Sequence, residues 1–131
     1  MADHESILKR YAQASAEDDM DMMGTFRHPN WRMTWPQSGE IVVGHENYVV
    51  TRMNRPEGTP PRVTPLRMGG AGDVWWSEAR VEYADGSVWL ATAITEFEGD
   101  KIIRERVYFA QPFPAPAWRA PLVEREPPAV G

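Results

Sequence analysis

The stretch from Asp73 to Ala110 constrains this chain most. It divides into three runs, DVWWSEARVEYA, SVWLATAITEF and KIIRERVYFA, separated by Asp85-Gly86 and Gly99-Asp100. Apolar residues alternating at period two on either side of such pairs predict strands joined by tight turns, so this half of the chain is an antiparallel meander. A two-residue turn at Asp85-Gly86 sets Ala84 opposite Ser87. Counting outward then pairs Glu82 with Trp89, Arg80 with Ala91, Glu78 with Ala93 and Trp76 with Thr95. The row Trp89, Ala91, Ala93, Thr95, Phe97 is bulky at its ends and small in the middle. Small residues on a concave sheet leave volume, so a pocket is expected there, with Glu78 and Arg80 as its polar wall. The opposite face collects Val81, Leu90, Thr92 and Ile94. Neither face is purely polar, so helices should cover one and a second copy of the chain the other.

Upstream, the period changes. Ile7, Tyr11 and Ala14 recur at helical spacing between Glu5 and about Ala16. The acidic run AEDDMDMMGTF suits a short second helix that begins near Asp18 or Asp19 and ends at Gly24. WRMTWPQSGEIVVG alternates Trp31, Met33 and Trp35 against Arg32 and Thr34, then turns at Gln37-Ser38-Gly39, as a strand entering a turn does. HENYVVTRMNR reads as a third helix with His45, Tyr48, Val49 and Met53 on one side. The four prolines of RPEGTPPRVTP mark a connection and an edge strand, because proline cannot donate into a central ladder. Helices first and a meander afterwards make an α+β domain. The tail QPFPAPAWRAPLVEREPPAVG is proline-rich, but Phe113, Trp118 and Leu122 give it anchors, and Trp118 is expected to dock on the body.

At 131 residues this reads as one domain spanning 1–131, frayed at 1–4, His4 included, and at 124–131. A net charge of -5 without a basic run argues against nucleic acid and anionic membrane as partners. No apolar window approaches the ~20 residues of a membrane span, and MADHESILKR lacks the layout of a signal peptide, so a cytoplasmic protein is expected. Zero Cys excludes disulfides, thiolate zinc sites and a cysteine nucleophile. The three His and scattered acids lack the spacing of a metal site, and GGAG at 69–72 is a turn without the βαβ context a dinucleotide needs. No metal and no cofactor are implied.

The last run poses the functional question. Ile103, Val107 and Phe109 share its apolar face, and Glu105 stands among them. A two-residue turn at Gly99-Asp100 would send Glu105 outward, whereas a bulge turns it inward; the strand's own alternation favours inward. On an apolar wall desolvation disfavours a charged carboxylate, which suits acid–base chemistry. The competing reading is a buried structural pair with Arg104, Arg80 or Arg119, since buried charges are normally paired. His28, in FRHPNW after the second helix, is the other candidate, because imidazole titrates near neutrality unaided. His45 opens the third helix and reads as structural.

The order ILKRYAQASAEDDMDMM, WPQSGEIVVGHENY, YADGSVWLATAITEFEGDKIIRERVYFA and PFPAPAWRAP resembles the SnoaL-like branch of the nuclear transport factor 2-like (NTF2-like) superfamily over residues 5–122. The resemblance implies a cone: three N-terminal helices on a strongly curved, mixed but mainly antiparallel sheet that encloses a pocket, with dimerisation through the outer sheet face. It also implies that Tyr11 matches the tyrosine steroid delta-isomerase uses as an oxyanion donor. The family's acids do not transfer: Trp35 and Thr95 stand where the isomerase has its base and its second acid, and Ala110 stands near the cyclases' acidic position. Glu105 and Glu78, with His28 and Tyr11, remain as catalytic candidates. Trp31, Trp35, Trp76, Arg80, Trp89, Thr95 and Phe109 are the residues expected to position a ligand. Two classes of function stay open: a cofactor-free lyase, isomerase, cyclase or hydrolase acting on a small apolar, carbonyl-bearing or polycyclic molecule, or a protein that binds such a molecule, or a partner, without chemistry.

Overall fold

The computed structural model describes residues 3–56 and 58–126. Two helices come first, α1 (His4–Ala16) and α2 (Met20–Thr25). Asp3 caps α1 by accepting from the Glu5 N–H, and Asp19 caps α2 by accepting from Met22. Between them Asp18 turns the chain at φ 55°, a conformation a short polar side chain tolerates. Strands β1 (Arg27–Trp35) and β2 (Glu40–Val43) form a hairpin and lead into α3 (His45–Met53); β3 (Arg62–Ala71), β4 (Val74–Glu82), β5 (Val88–Glu98) and β6 (Lys101–Ala110) follow, and a 3-10 turn at Ala117–Leu122 closes the tail.

All six strands join one curved, open sheet in the order β2-β1-β6-β5-β4-β3, parallel only where β1 meets β6. The helices pack on its concave side. Ile7, Leu8, Tyr11 and Ala14 of α1 meet Met23, Trp31, Met33, Phe97 and Ile102 in the core. The α+β architecture expected from the sequence is thus the one found, and β3 with its Pro65 lies at an edge. Among the described residues no helix is long and apolar enough to cross a membrane.

Four local expectations need correction. The β4–β5 turn spans Tyr83 to Ser87, closed by Tyr83 N–H to Ser87 O and by the Asp85 carboxylate on the Ser87 N–H. Glu82 therefore pairs with Val88, Val81 with Trp89, Glu78 with Thr92 and Trp76 with Ile94, one residue away from the two-residue count. Since side chains alternate, that single step sends Trp76, Glu78 and Arg80 to the outer row and brings Val81 inside, 4% exposed. The GGAG segment is not merely a turn: Gly69 and Gly70 belong to β3, and a Cβ on Gly69 would lie 2.7 Å from the Trp76 indole. The tail does not dock, for Phe113, Trp118 and Leu122 are 77%, 71% and 75% exposed. Nor is His4 frayed. Its ring lies flat on Phe97, centroids 4.0 Å apart, with Nδ1 2.7 Å from the Gly72 carbonyl and Nε2 2.8 Å from that of Gly99. Asp3 caps α1 and is not frayed either, 124–126 are exposed without regular structure, and residues 1–2 and 127–131 lie outside the described residues.

Candidate functional site

The β5–β6 hairpin decides where Glu105 points. Its two-residue turn pairs Glu98 with Lys101 and Phe97 with Ile102. The register then shifts, so that Arg104 faces Glu96 and Glu105 faces Thr95, with Ile103 as the extra residue. Turn and bulge coexist, and the bulge aims Glu105 inward. Its side chain is 4% exposed and reaches the wall of a cavity of about 550 Å³ between α1, α3 and the concave sheet. Met33, Trp35, Ala91, Ala93, Val107 and Phe109 make that wall mainly apolar.

The carboxylate is not alone. Glu105 Oε2 accepts from Tyr11 Oη at 2.6 Å and from Trp31 Nε1 at 2.9 Å, and Arg27 Nη2 stands 3.9 Å away. Oε1 has one long contact, 3.5 Å from Thr95 Oγ1. Burial, reinforced by the Glu105 charge against the opposing pull of Arg27, holds the Tyr11 phenol well above its ordinary pKa, so it stays protonated and donates. Arg27 gives its Nε–H to Tyr11 Oη (2.8 Å) and lies over the faces of Trp31 and Tyr48, at 3.8 and 4.2 Å from the ring centroids. Burial works against the Arg27 charge, yet Tyr11 and Glu105 more than offset it and its pKa is raised. Arg27 Nη1 meets His45 Nδ1 at 2.7 Å; burial first and Arg27 second press the His45 pKa below its usual value. A second buried arginine, Arg52, fastens α3 to the end of α1 through Ser15 and through Asp18 at 2.8 Å.

Among solved structures, an NTF2-like protein of unknown function from Burkholderia xenovorans LB400 superposes with a TM-score of 0.84 at 30% identity, covering 95% of each chain. The chain belongs to the NTF2-like family. A provisionally named ketosteroid isomerase from Kribbella flavida gives a TM-score of 0.82 at 17% identity, covering 95% of this chain and 90% of its own. A provisionally named SnoaL-like polyketide cyclase from Shewanella denitrificans gives 0.66 at 9%, covering 81% and 89%. At those identities the two show the fold. No protein-family model and no curated protein matches the sequence.

Within this NTF2-like cavity the structure gathers Tyr11, Trp35, Thr95, Glu105 and Phe109 from the residues marked in the sequence. Glu78 is among the lining residues as well, but its side chain is 37% exposed and ion-paired with Arg67. Trp31 is 1% exposed and stands behind the wall, holding Glu105 and not a ligand. Trp76 lies outside, against Gly69 and Arg67; Arg80 pairs with Glu82 at 2.9 Å; Trp89 stacks edgewise on Tyr83 beyond the cavity. His28 is a β1 residue, not a loop residue at the mouth, and its Nε2 is 2.7 Å from Glu98. Tyr11 lines the cavity, but its proton is given to Glu105, which leaves no donor for an oxyanion in this arrangement. The ion partner of Glu105 is Arg27, not Arg104, Arg80 or Arg119.

Arg27 was the missed residue. The alternation Trp31, Met33, Trp35 extended two steps back reaches it, but an arginine on an apolar face argues against extending a strand. The aromatic faces that make its burial tolerable come from α1, β1 and α3, which no local pattern joins.

Proposed function

We propose that this protein is a cofactor-independent acid–base enzyme of the lyase, isomerase or cyclase type, with Glu105 as the carboxylate that takes and returns a proton. The observation that carries the reading is the division of labour within that carboxylate. Oε2 is fixed by Tyr11 and Trp31, while Oε1, with only a long contact to Thr95, keeps acceptor capacity for a ligand. A base whose rotamer is locked by its neighbours loses little entropy when it acts. The volume falls within the range of small-molecule sites, and the apolar wall suits a largely apolar body. A carbonyl next to the abstracted proton would make it acidic enough for a carboxylate. The neighbours named for ketosteroid and polyketide chemistry support a polycyclic, carbonyl-bearing substrate. Tyr11 and Trp31 serve as positioning groups, and the protein is proposed to work as a cytoplasmic homodimer.

One observation favours a second reading, a non-catalytic ligand-binding protein. Glu105 has no acid partner of its own sign at hand, because Glu78 is engaged with Arg67. The two are separated by titrating a panel of polycyclic ketones into wild type, Glu105→Gln and Glu105→Asp, following both binding and proton exchange at the carbon next to the carbonyl. The enzyme reading expects wild-type exchange that both variants lose while binding persists. Binding without exchange in the wild type selects the second reading.

A further inference from the structure

An unbroken chain of hydrogen bonds runs from the cavity wall to the first residue of α3. Tyr11 donates to Glu105, Arg27 Nε donates to Tyr11, and Arg27 Nη1 donates to His45 Nδ1. An arginine has only donors, so His45 must accept through Nδ1 and carry its proton on Nε2. Its ring is fixed from the other side by α2: a Cβ on Gly24 would lie 2.7 Å from His45 Nε2. The third arm of Arg27, Nη2, is buried, lacks a hydrogen-bond partner and stands 3.9 Å from Glu105 Oε2. Trp31 and Tyr48, set edge to face with their centroids 5.7 Å apart, flank the guanidinium at 3.8 and 4.2 Å.

We propose that Arg27 is the positioning residue for Glu105 and that protonation of half-buried His45 at Nδ1 resets it. The proposal rests on the reading of Glu105 as the working group of the cavity. With His45 neutral, Arg27 is shared between His45 and Tyr11 and acts on Glu105 through the phenol. With His45 charged, Nη1 loses its acceptor and faces a like charge. The guanidinium then moves toward Glu105, Nη2 closes its gap, and a direct ion pair replaces the phenol-mediated contact. The groups around His45 divide: Arg27 of β1 opposes its charge, while Asp21 and the Met20 carbonyl of α2, and Glu46 beside it on α3, favour it. The state of a group outside the cavity thereby sets how the carboxylate inside it is held.

The test needs no substrate. In the full-length protein, the Glu105 Cδ and Tyr11 Cζ carbons are followed by ¹³C NMR through an acid titration, with His45 followed by its own ring nitrogens. Both carbons should show an inflection at the His45 midpoint. His45→Gln, whose amide oxygen still accepts from Arg27 but does not titrate, should lose that inflection. Arg27→Lys, whose single ammonium cannot serve both partners, should lose it as well. His4→Phe, remote from the chain, should keep it. Absence of the inflection in the wild type overturns the proposal without recourse to any variant, and so does its persistence in His45→Gln. Should the wild type bind the ketone panel without proton exchange while the inflection stands, the enzyme reading fails and the coupling survives.

Discussion

His4 should make the fold less stable as pH rises, in contrast to the usual behaviour of a buried histidine. Its two ring nitrogens each face a backbone carbonyl, Gly72 at 2.7 Å and Gly99 at 2.8 Å. Carbonyls only accept, so only the doubly protonated ring satisfies both. The Gly72 hydrogen bond raises the His4 pKa most, against burial, with Gly99, Asp73 and Asp100 adding to it. A folded pKa above the unfolded one, about 6.5, means that the stabilisation is fully present below about pH 6.5 and is lost as pH rises through the folded value. Deprotonation forfeits one of the two bonds. For a site at the surface, with a ring side chain 17% exposed, the low end of the range for a hydrogen bond to a charged group applies, about 1.5 kcal/mol. His45 works in the opposite sense, since its folded pKa is lowered and its contribution is lost as pH falls below about 6.5. The measurement is therefore a difference. Wild type and His4→Phe, which keeps a ring on Phe97, are unfolded in urea near pH 5.5 and near pH 9 with tryptophan fluorescence as the probe. The gap between them should be about 1.5 kcal/mol wider at the lower pH. A gap that is constant or widens with pH would refute a charged clasp.

Glu105→Gln leaves Arg27 buried without its counter-charge and should cost about 3–5 kcal/mol in denaturant melts, the range for breaking a buried ion pair; a loss under about 1 kcal/mol would mean that the aromatic faces alone hold the guanidinium. Leu90, Ile94 and Tyr108 are 42%, 37% and 38% exposed on the outer sheet face, so sedimentation should find a dimer at micromolar concentration that Ile94→Arg dissociates; a wild-type monomer would sink the dimer. Deleting residues 112–131 should leave the melting temperature of the monomer unchanged, because its three apolar anchors touch solvent; a clear fall at high dilution would show that the tail packs on its own body.

The elements were legible in the sequence because their signals are local. Ile7, Tyr11 and Ala14 announce a helix, and Asp-Gly and Gly-Asp pairs announce hairpins, without reference to the rest of the chain. Register was less legible. Asp85-Gly86 sits inside a longer loop because the Asp85 carboxylate captures the Ser87 N–H, and one residue of slip exchanged Glu78 and Arg80 for Ala79 and Val81 on the concave face. Glu105 was read correctly as inward because three apolar neighbours on its strand outvoted the turn, and the bulge at Ile103 reconciles the two. Its partners were beyond reach. Tyr11, Arg27 and Trp31 lie 94, 78 and 74 positions away; Arg27 and Trp31 meet it through a parallel pairing that no turn signals, and Tyr11 through the packing of α1. His4 was misjudged for a related reason: the acceptors that hold it belong to two remote loops.

The placement of β6 between β1 and β5 sets an order of events for a chain made from its N-terminus. When the ribosome has released α1 through α3, all three rings that will enclose Arg27 have been made, but the carboxylate that neutralises it is still some tens of residues from being translated. At about 5–20 residues per second that interval lasts several seconds. During it β1 offers a bare edge, and the half-made protein holds a charge it cannot bury. The final strand then completes the ladder and supplies the counter-ion in a single step. Closing the sheet and neutralising Arg27 thus fall to the same strand, and an electrostatic gain accompanies the hydrophobic one when β6 docks.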